Sequence, residues 1–235
     1  MRKVTTSTFK VSEETIRSSF KKLKSNQRIS VCVPCRNEAS TIGEIVSSLN
    51  KKLLISGYID ELIVIDDSST DSTSTIAREA GAKVIPIEEI NSIYGQGGGK
   101  GNALWASLIS SDGDVVVWVD GDLRNFQPIW IQQLAFPLLN NDSIHLVKAD
   151  YKRSEETGGG GRNTELVAKP LLSIHFPELA NLQQPLAGEY AVRRSAVNQI
   201  NLMQGWGVEI GMLIDFERRF GSQSIAQSDL GTREH

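Results

Sequence analysis

The stretch Val115–Asp122, which reads Val-Val-Val-Trp-Val-Asp-Gly-Asp, constrains the fold more than any other part of the sequence. Its β-branched apolar run predicts a strand that is buried on both faces. Side chains alternate along a strand, so Asp120 and Asp122 converge at its carboxyl end, the edge where ligands bind in open α/β sheets. Two carboxylates at one point attract Mg²⁺ or Mn²⁺, which also bind a substrate diphosphate. An acidic turn would give the same spacing.

Length and charge exclude several classes of protein. The chain has 235 residues, enough for one large domain or two intimate lobes, and a formal net charge of -3, which gives no strong attraction to nucleic acid. No apolar run approaches the roughly 20 residues of a membrane span. The basic start Met1-Arg2-Lys3 is not followed by an apolar segment, so it is not typical of a secretory signal. We therefore expect a cytoplasmic protein with no membrane span and no nucleic-acid partner.

The two cysteines, Cys32 and Cys35, have the spacing of a thioredoxin-like redox pair. Cys32, however, lies within an apolar strand-like run and not at a helix N-terminus, where the thiol pKa would be lowered. Two thiols alone are also too few for a zinc site. The sequence therefore predicts reduced packing residues.

Strands and helices alternate along the chain. The predicted strands are 29–34, 61–67, 83–87, 115–119 and 144–151; the predicted helices are 11–25, about 41–54, 72–80, 102–110, 128–139, 165–172 and a last one that ends near 220. We expect the first helix to lie outside the core. Short connections in this order predict a parallel sheet with right-handed crossovers. The polar residues that end three strands would then meet at one edge, which favours the metal site over the acidic turn.

Two glycine runs and two isolated glutamates are further candidates for a site. Gly95–Gly101 includes Lys100 before a helix, which suggests phosphate contact, although Tyr94 replaces the first glycine of a P-loop. Gly158–Gly161 precedes Arg162, which is either a fork for a carboxylate or phosphate or a solvated side chain on a mobile loop. Glu189 and Glu209 stand in apolar surroundings, as site residues, caps or members of buried ion pairs would.

Several separated motifs resemble one family, the glucosyl-3-phosphoglycerate synthases, which are retaining glycosyltransferases of GT-A fold. The resemblance runs from about Ile29 to His235. The motifs that carry it are Val-Pro-Cys-Arg-Asn-Glu (33–38), Leu-Ile-Val-Ile-Asp-Asp-Ser-Ser-Thr-Asp (62–71), Gly-Lys-Gly (99–101) with Ala-Leu-Trp (103–105), Asp-Gly-Asp-Leu (120–123), Gly-Gly-Gly-Arg (159–162) with Thr-Glu-Leu-Val-Ala (164–168), Gln-Pro-Leu-Ala-Gly-Glu-Tyr (184–190) and Gly-Val-Glu-Ile-Gly (207–211). The first two occur in many glycosyltransferases, whereas the last three resemble the phosphoglycerate-specific family.

The resemblance implies an α/β fold of GT-A type, a Rossmann-like and mostly parallel sheet flanked by helices, in a single domain over residues 1–235. About 29–123 would bind the nucleotide sugar and about 124–235, the smaller half, the acceptor. The implied donor-binding residues are Pro34, Arg36, Asn37, Glu38, Asp67, Ser69, Lys100, Asp120 and Gly121. The implied acceptor-binding residues are Gly161, Arg162, Thr164 and Glu209. The implied metal ligands are Asp120, Asp122 and His235, and the implied catalytic residues are Lys100, Asp122, Glu209 and Arg233.

The activity that the resemblance implies is metal-dependent transfer of glucose, with retention, from UDP- or GDP-glucose to 3-phosphoglycerate. Mg²⁺ or Mn²⁺ would be the cofactor, and a homodimer is expected. Two alternatives remain: an inverting GT-A transferase acting on a polyprenyl phosphate or glycan, and a catalytically impaired protein that binds nucleotide sugars. Members of the family continue past the histidine, whereas this chain ends on His235, so the sequence represents either a truncated form or a shortened protein.

Overall fold

The structure is a computed structural model that describes residues 6–153 and 161–234. Within these ranges one eight-stranded sheet passes through the whole fold, in the order β1-β8-β6-β7-β5-β2-β3-β4. The strands are β1 Ser7–Phe9, β2 Ile29–Cys35, β3 Glu61–Asp66, β4 Lys83–Pro86, β5 Val115–Trp118, β6 Leu146–Arg153, β7 Tyr190–Arg193 and β8 Ile225–Arg233. The predicted α/β architecture, a mostly parallel sheet flanked by helices, is confirmed.

Helices cover both faces of this sheet. They are α1 Glu13–Lys24, α2 Ile42–Leu49, α3 Thr73–Glu79, α4 Ile87–Tyr94, α5 Gly99–Ile109, α6 Ile129–Asn140, α7 Lys169–His175, α8 Arg194–Val197 and α9 Val208–Phe220. A π-helical turn continues α2 over Asn50–Leu54, and another, Thr164–Ala168, precedes α7. No helix in the described ranges is both long and apolar enough to cross a bilayer.

The prediction that the first helix lies outside the core is wrong. Ile16 and Phe20 of α1 are buried and join the apolar cluster that also contains Val31 of β2 and Leu134 of α6. Hydrophobic side chains four residues apart share one face of a helix, and here that face packs against α6. Three of the four basic residues of α1 lie in its last turn and the fourth, Arg17, is exposed, so they leave this apolar face intact.

One strand of the sheet runs against the others. β7 pairs antiparallel with both β5 and β6, with Tyr190 opposite Trp118 and opposite Lys148, whereas the other pairings are parallel. The residues just before β7 therefore lie beside the residues that follow the carboxyl end of β5. This reversal brings 187–189 next to Asp120.

Cys32 and Cys35 are free and buried in β2, as predicted. Burial raises the pKa of Cys32 to about 12 and raises that of Cys35 further, so neither thiol ionises readily near neutral pH. The pair packs within the sheet.

Candidate active site

Asp120 is at the centre of the candidate site, two residues beyond the carboxyl end of β5. Its Oδ1 accepts a hydrogen bond from Lys100 Nζ at 2.7 Å, and its Oδ2 accepts one from Arg233 Nη2 at 3.0 Å. Charge-assisted hydrogen bonds of this kind are about twice as strong as neutral ones. Asp120 therefore joins two cations whose positions lie 20 and 113 residues away along the chain.

Lys100 is also bound to a second carboxylate. Its Nζ lies 2.9 Å from Glu209 Oε1, and both side chains are largely buried. Burial alone would lower the pKa of Lys100, but Asp120 and Glu209 raise it above its ordinary value. Lys100 therefore remains a cation between the first turn of α5 and the first turn of α9.

Glycines bring these two helix starts together. A Cβ at Gly101 would lie 1.9 Å from the carbonyl oxygen of Met203, and one at Gly99 would lie 2.9 Å from Gly205 Cα. Gly205 N also donates a hydrogen bond to the Gly98 carbonyl at 3.0 Å. Gly99 and Gly101, both in the first turn of α5, thus allow backbone to pack on backbone. This packing is a role for the glycines besides the phosphate contact that the sequence suggested.

Arg233, at the end of β8, is the second cation on Asp120. Its Nη2 lies 2.9 Å from Glu189 Oε1, and its Nη1 donates a hydrogen bond to the Tyr151 hydroxyl at 2.7 Å. Burial raises the pKa of Glu189 to about 7, and the charge of Arg233 opposes that rise. Asp122 Oδ1 is 3.9 Å from the same guanidinium. Glu189 and Glu209 are therefore both members of buried ion pairs and both neighbours of Asp120.

The loops after β2 and β3 hold each other where the donor pocket was predicted. Asn37 has a φ of 59°, and its backbone N–H donates to Ser69 Oγ at 2.9 Å. Its side-chain oxygen accepts from Thr70 N at 2.8 Å, and Glu38 N donates to Thr73 Oγ1 at 2.8 Å. Asn tolerates this left-handed backbone better than most residues do. These contacts fix the shape of the loops that end both strands.

The other predicted donor residues lie along the same edge. Pro34 is opposite Ile65 in the sheet, and Asp67 N donates to the Cys35 carbonyl at 2.9 Å. Burial raises the pKa of Asp67, and the nearby charge of Arg36 lowers it, so the two side chains interact. The Gly121 carbonyl accepts a hydrogen bond from Thr41 Oγ1 at 2.6 Å.

The carboxylates of this edge fit a divalent cation that arrives with a diphosphate. The side chain of Asp122 is 43% exposed, and the pKa of Glu38 is raised by burial and by the charges of Asp122 and Asp120. Mutual repulsion of this kind favours a cation. Within residues 6–153 and 161–234, no group of three or more His, Cys, Asp or Glu side chains is placed to hold a metal, and His235 lies outside these residues. Mg²⁺ commonly binds one or two carboxylates and takes its other ligands from phosphate and water.

The predicted acceptor residues follow the second glycine run, of which Gly158–Gly160 lie outside the described residues. Gly161 has a φ of 90°, and a Cβ there would lie 3.1 Å from Arg153 Nε. Arg162 is exposed, whereas Thr164 is buried in the π-helical turn before α7. The structure thus places Gly161 beside a cationic side chain.

Sequence reasoning missed Tyr151 and Arg153, which lie between Arg233 and the predicted acceptor residue Gly161. The Tyr151 hydroxyl accepts hydrogen bonds from Arg233 at 2.7 Å and from Arg153 at 3.3 Å. The two residues are two positions apart in β6, so alternation along a strand was the signal that could have placed them on one face.

The protein is a glycosyltransferase by its fold, and residues 30–200 match the family Glycosyl transferase family 2. The glucosyl-3-phosphoglycerate synthase of Mycolicibacterium paratuberculosis is 45% identical over 221 residues, which cover 90% of this chain and 67% of that relative. The enzyme of the same name from Petrotoga mobilis is 45% identical over 223 residues, 91% of this chain and 69% of the relative. The chain belongs to the glucosyl-3-phosphoglycerate synthase family, as its motifs predicted.

Solved structures confirm the GT-A architecture. Glucosyl-3-phosphoglycerate synthase from Mycobacterium tuberculosis in complex with Mg²⁺ and UDP matches with a TM-score of 0.90 and 42% identity, over 98% of this chain and 78% of that chain. The same enzyme in complex with Mn²⁺, UDP-glucose and phosphoglyceric acid gives a TM-score of 0.90, 42% identity and coverage of 98% and 79%. The roles of individual site residues remain predictions.

Proposed function

We propose that this protein transfers glucose from UDP-glucose to 3-phosphoglycerate, giving glucosyl-3-phosphoglycerate and UDP. The observation that carries the proposal is the placement of Asp120 between Lys100 and Arg233, with Glu209 on the other side of Lys100. The relative of known structure binds UDP-glucose, phosphoglyceric acid and Mn²⁺. This supports UDP over GDP as the nucleotide of the donor.

The reaction exchanges one bond of the anomeric carbon for another. The bond to the diphosphate oxygen breaks, a bond to the 2-hydroxyl oxygen of 3-phosphoglycerate forms, and the hydroxyl proton passes to the leaving diphosphate. Attack on the face that the diphosphate leaves retains the configuration, as the family resemblance implies. A divalent cation held by Asp122, Asp120 and His235 together with the diphosphate would supply Lewis-acid stabilisation of the charge on UDP.

The cationic side chains fit the leaving group. Lys100 and Arg233 are fixed by their ion pairs beside the carboxylates of Asp120 and Asp122, so their charges face the place where the diphosphate would lie. Preorganised charges of this kind stabilise a developing anion without reorganisation. Glu209, on Lys100, orients the hydroxyl groups of the acceptor and sugar.

The remaining predicted residues form the walls of the two substrate pockets. Donor binding is assigned to the paired loops after β2 and β3, and acceptor binding to the start of the segment that leads into α7. In the donor pocket the residues are Pro34, Arg36, Asn37, Glu38, Asp67, Ser69 and Gly121. For the trianionic acceptor they are Gly161, Arg162 and Thr164, where a guanidinium and bare backbone amides suit a phosphate.

The test is transfer from UDP-glucose and, separately, GDP-glucose to 3-phosphoglycerate, each with Mg²⁺, with Mn²⁺ and with EDTA. We expect phosphorylated glucosylglycerate from UDP-glucose only when metal is present, with an α-linkage by NMR. D-glycerate is the matched acceptor that lacks the phosphate, and we expect it to react poorly. A β-linkage would indicate the inverting alternative. If UDP binds but no product forms, either the proposed acceptor, 3-phosphoglycerate, or the proposed transferase activity is wrong.

We also propose a homodimer, assembled through the apolar surface that α7 forms with the turn Gly205–Gly207 before α9. Leu171, Ile174 and Trp206 are 51%, 71% and 84% exposed, and a groove of about 470 Å³ lies between α7 and α9. Exposed apolar patches of this kind commonly mark protein interfaces. Light scattering after gel filtration should give twice the chain mass, and Ile174→Lys should give the monomer. A monomeric wild type would contradict this assembly.

A further inference from the structure

A second lysine, Lys148, lies beneath the candidate site in β6 and is only 2% exposed. Its Nζ donates a hydrogen bond to the Ala187 carbonyl at 2.5 Å and lies 4.2 Å from the centroid of the Tyr190 ring. Neither contact is with an anion, so this is not an ordinary buried ion pair. Burial of an ammonium group is costly, which calls for a reason why a lysine stands here.

The charged groups around Lys148 belong to the site. Burial lowers the pKa of Lys148 to about 7; the charges of Glu209, Glu189 and Asp120 oppose this, and that of Lys100 adds to it. Lys148 lies in β6, which is between β7 and β8 in the sheet, and it is opposite Tyr190. Its side chain is almost completely buried, so a role in the reaction would be exerted through the residues that it contacts.

The segment that Lys148 holds touches Asp120 in two ways. A Cβ at Gly188 would lie 2.2 Å from Asp120 Oδ2, so this backbone packs directly on the carboxylate. The next residue, Glu189, pairs with Arg233, which in turn binds Asp120. Three consecutive residues, Ala187 to Glu189, thus link Lys148 to the carboxylate that centres the site.

Regular sheet hydrogen bonds do not extend to Ala187. The β6–β7 ladder ends at the pair Lys148 and Tyr190, and Ala149 N donates to the Glu189 carbonyl at 3.0 Å. The Ala187 carbonyl lies beyond that point and is bound by the Lys148 side chain instead. The Lys148 side chain therefore attaches residues 187–189 to β6 beyond the point where the backbone pairing of β6 and β7 ends.

We propose that Lys148 is a positioning residue for the glycosyl transfer. It holds Ala187–Glu189 in place, so that the Gly188 backbone packs against the Asp120 carboxylate and Glu189 orients Arg233. The proposal rests on the proposed function of the same site. A purely structural lysine would affect folding alone, whereas a positioning residue also sets how well the folded protein binds UDP with Mn²⁺ and how fast it turns over.

The test compares Lys148→Met with Lys152→Met, which removes an exposed lysine from the same strand. We expect Lys148→Met to weaken calorimetric binding of UDP in the presence of Mn²⁺ by at least about tenfold and to lower kcat by a similar factor, as misplaced site groups do. The KM for 3-phosphoglycerate should change little, and the melting temperature near pH 7 should not fall, because the variant no longer buries an ammonium group. Lys152→Met should resemble the wild type.

A double-mutant cycle tests the route through Glu189. If Lys148 acts through this segment, the effect of Lys148→Met and Glu189→Gln together is smaller than the product of the two separate effects on UDP affinity. Independent effects would contradict the proposed route. Should Lys148→Met fail to fold, Lys148→Leu, which likewise donates no hydrogen bond to the Ala187 carbonyl, is judged by the same criteria.

Folded Lys148→Met with wild-type UDP affinity and kcat would overturn the proposal. The binding measurement does not depend on the identity of the acceptor. A wild-type protein that binds UDP with Mn²⁺ but transfers nothing to 3-phosphoglycerate would contradict the proposed function, while the affinities of the variants would still decide the role of Lys148.

Discussion

Adding one methyl group at Gly188 is a direct perturbation of the candidate site. A Cβ there would lie 2.2 Å from Asp120 Oδ2 and 2.3 Å from Oδ1, whereas ordinary van der Waals contact begins at 3.4 Å. The Asp120 carboxylate must therefore move by about 1 Å, which exceeds the tolerance of about 0.5 Å for catalytic groups. It cannot do so without lengthening its bonds to Lys100 or Arg233. A displacement of this size costs about 100-fold in rate, or about 2.7 kcal/mol of transition-state stabilisation.

The assay for Gly188→Ala is kcat/KM for transfer from UDP-glucose to 3-phosphoglycerate, together with thermal unfolding. Gly207→Ala is the matched control, because the same methyl group there would be 3.8 Å from its nearest neighbour, Met203 Cε. We expect the control to keep its activity and Gly188→Ala to lose about 100-fold. Gly188→Ala that folds and keeps activity within about threefold of the wild type would refute the inference that the Asp120 position limits catalysis.

Three other predictions follow from buried charges and thiols. Lys100→Met should lower kcat/KM for UDP-glucose by at least about 100-fold, because both of its carboxylate partners lose a cation. Steady-state kinetics of the folded variant measure this loss, and a small loss would contradict the prediction. Between pH 7 and 10.5 the unfolded chain binds more protons at Lys148 than the folded protein does, so the free energy of unfolding should rise with pH by up to about 1.4 kcal/mol per pH unit. Urea titrations should show this rise for the wild type and not for Lys148→Met. The same pH dependence in both proteins would contradict the prediction. Iodoacetamide at pH 8 should leave Cys32 and Cys35 unmodified in the native protein and alkylate both after unfolding, which mass spectrometry measures; rapid native alkylation would refute their burial.

Local sequence patterns predicted the central strand and the parallel half of the sheet. The apolar run before Asp120 is β5, and the alternation of strands and helices through Pro86 gives the parallel half of the sheet. Antiparallel β7 is four residues long, and the short apolar stretch from Pro185 to Ala191 does not reveal its direction. The position of α1 was also beyond reach, because an amphipathic helix of 12 residues shows which face is apolar but not what covers it.

The site was predictable as a set of residues but not as a network. Motifs identified Lys100, Asp120, Glu209 and Arg233, whereas the bonds among them join positions up to 113 residues apart. Lys148 gave no signal at all, since a lysine in a strand is normally exposed and its burial depends on strands that are distant in sequence.

The ion pairs of the site predict that the affinity for UDP depends on the bound metal ion. Both candidate phosphate-binding cations, Lys100 and Arg233, are held by Asp120. UDP on its own brings negative charge that competes with Asp120 for these cations and leaves a partly buried carboxylate with less compensation, which is costly. A divalent cation on Asp120 and Asp122 replaces the lost partners.

UDP and Mn²⁺ should therefore bind with positive coupling, which must be reciprocal because it is a free energy shared by two ligands. We expect removal of Mn²⁺ by EDTA to weaken UDP binding by at least about tenfold, a coupling of about 1.4 kcal/mol. Asp122→Asn should reduce that factor, because it removes a negative charge that the metal ion would compensate, whereas Asp142→Asn, an exposed aspartate paired with Arg193, should leave it unchanged. Calorimetric titrations of UDP with and without Mn²⁺ measure the factor directly. Equal UDP affinity in both conditions would show that the carboxylates do not couple metal to nucleotide, and that Lys100 and Arg233 bind the diphosphate without an exchange of partners.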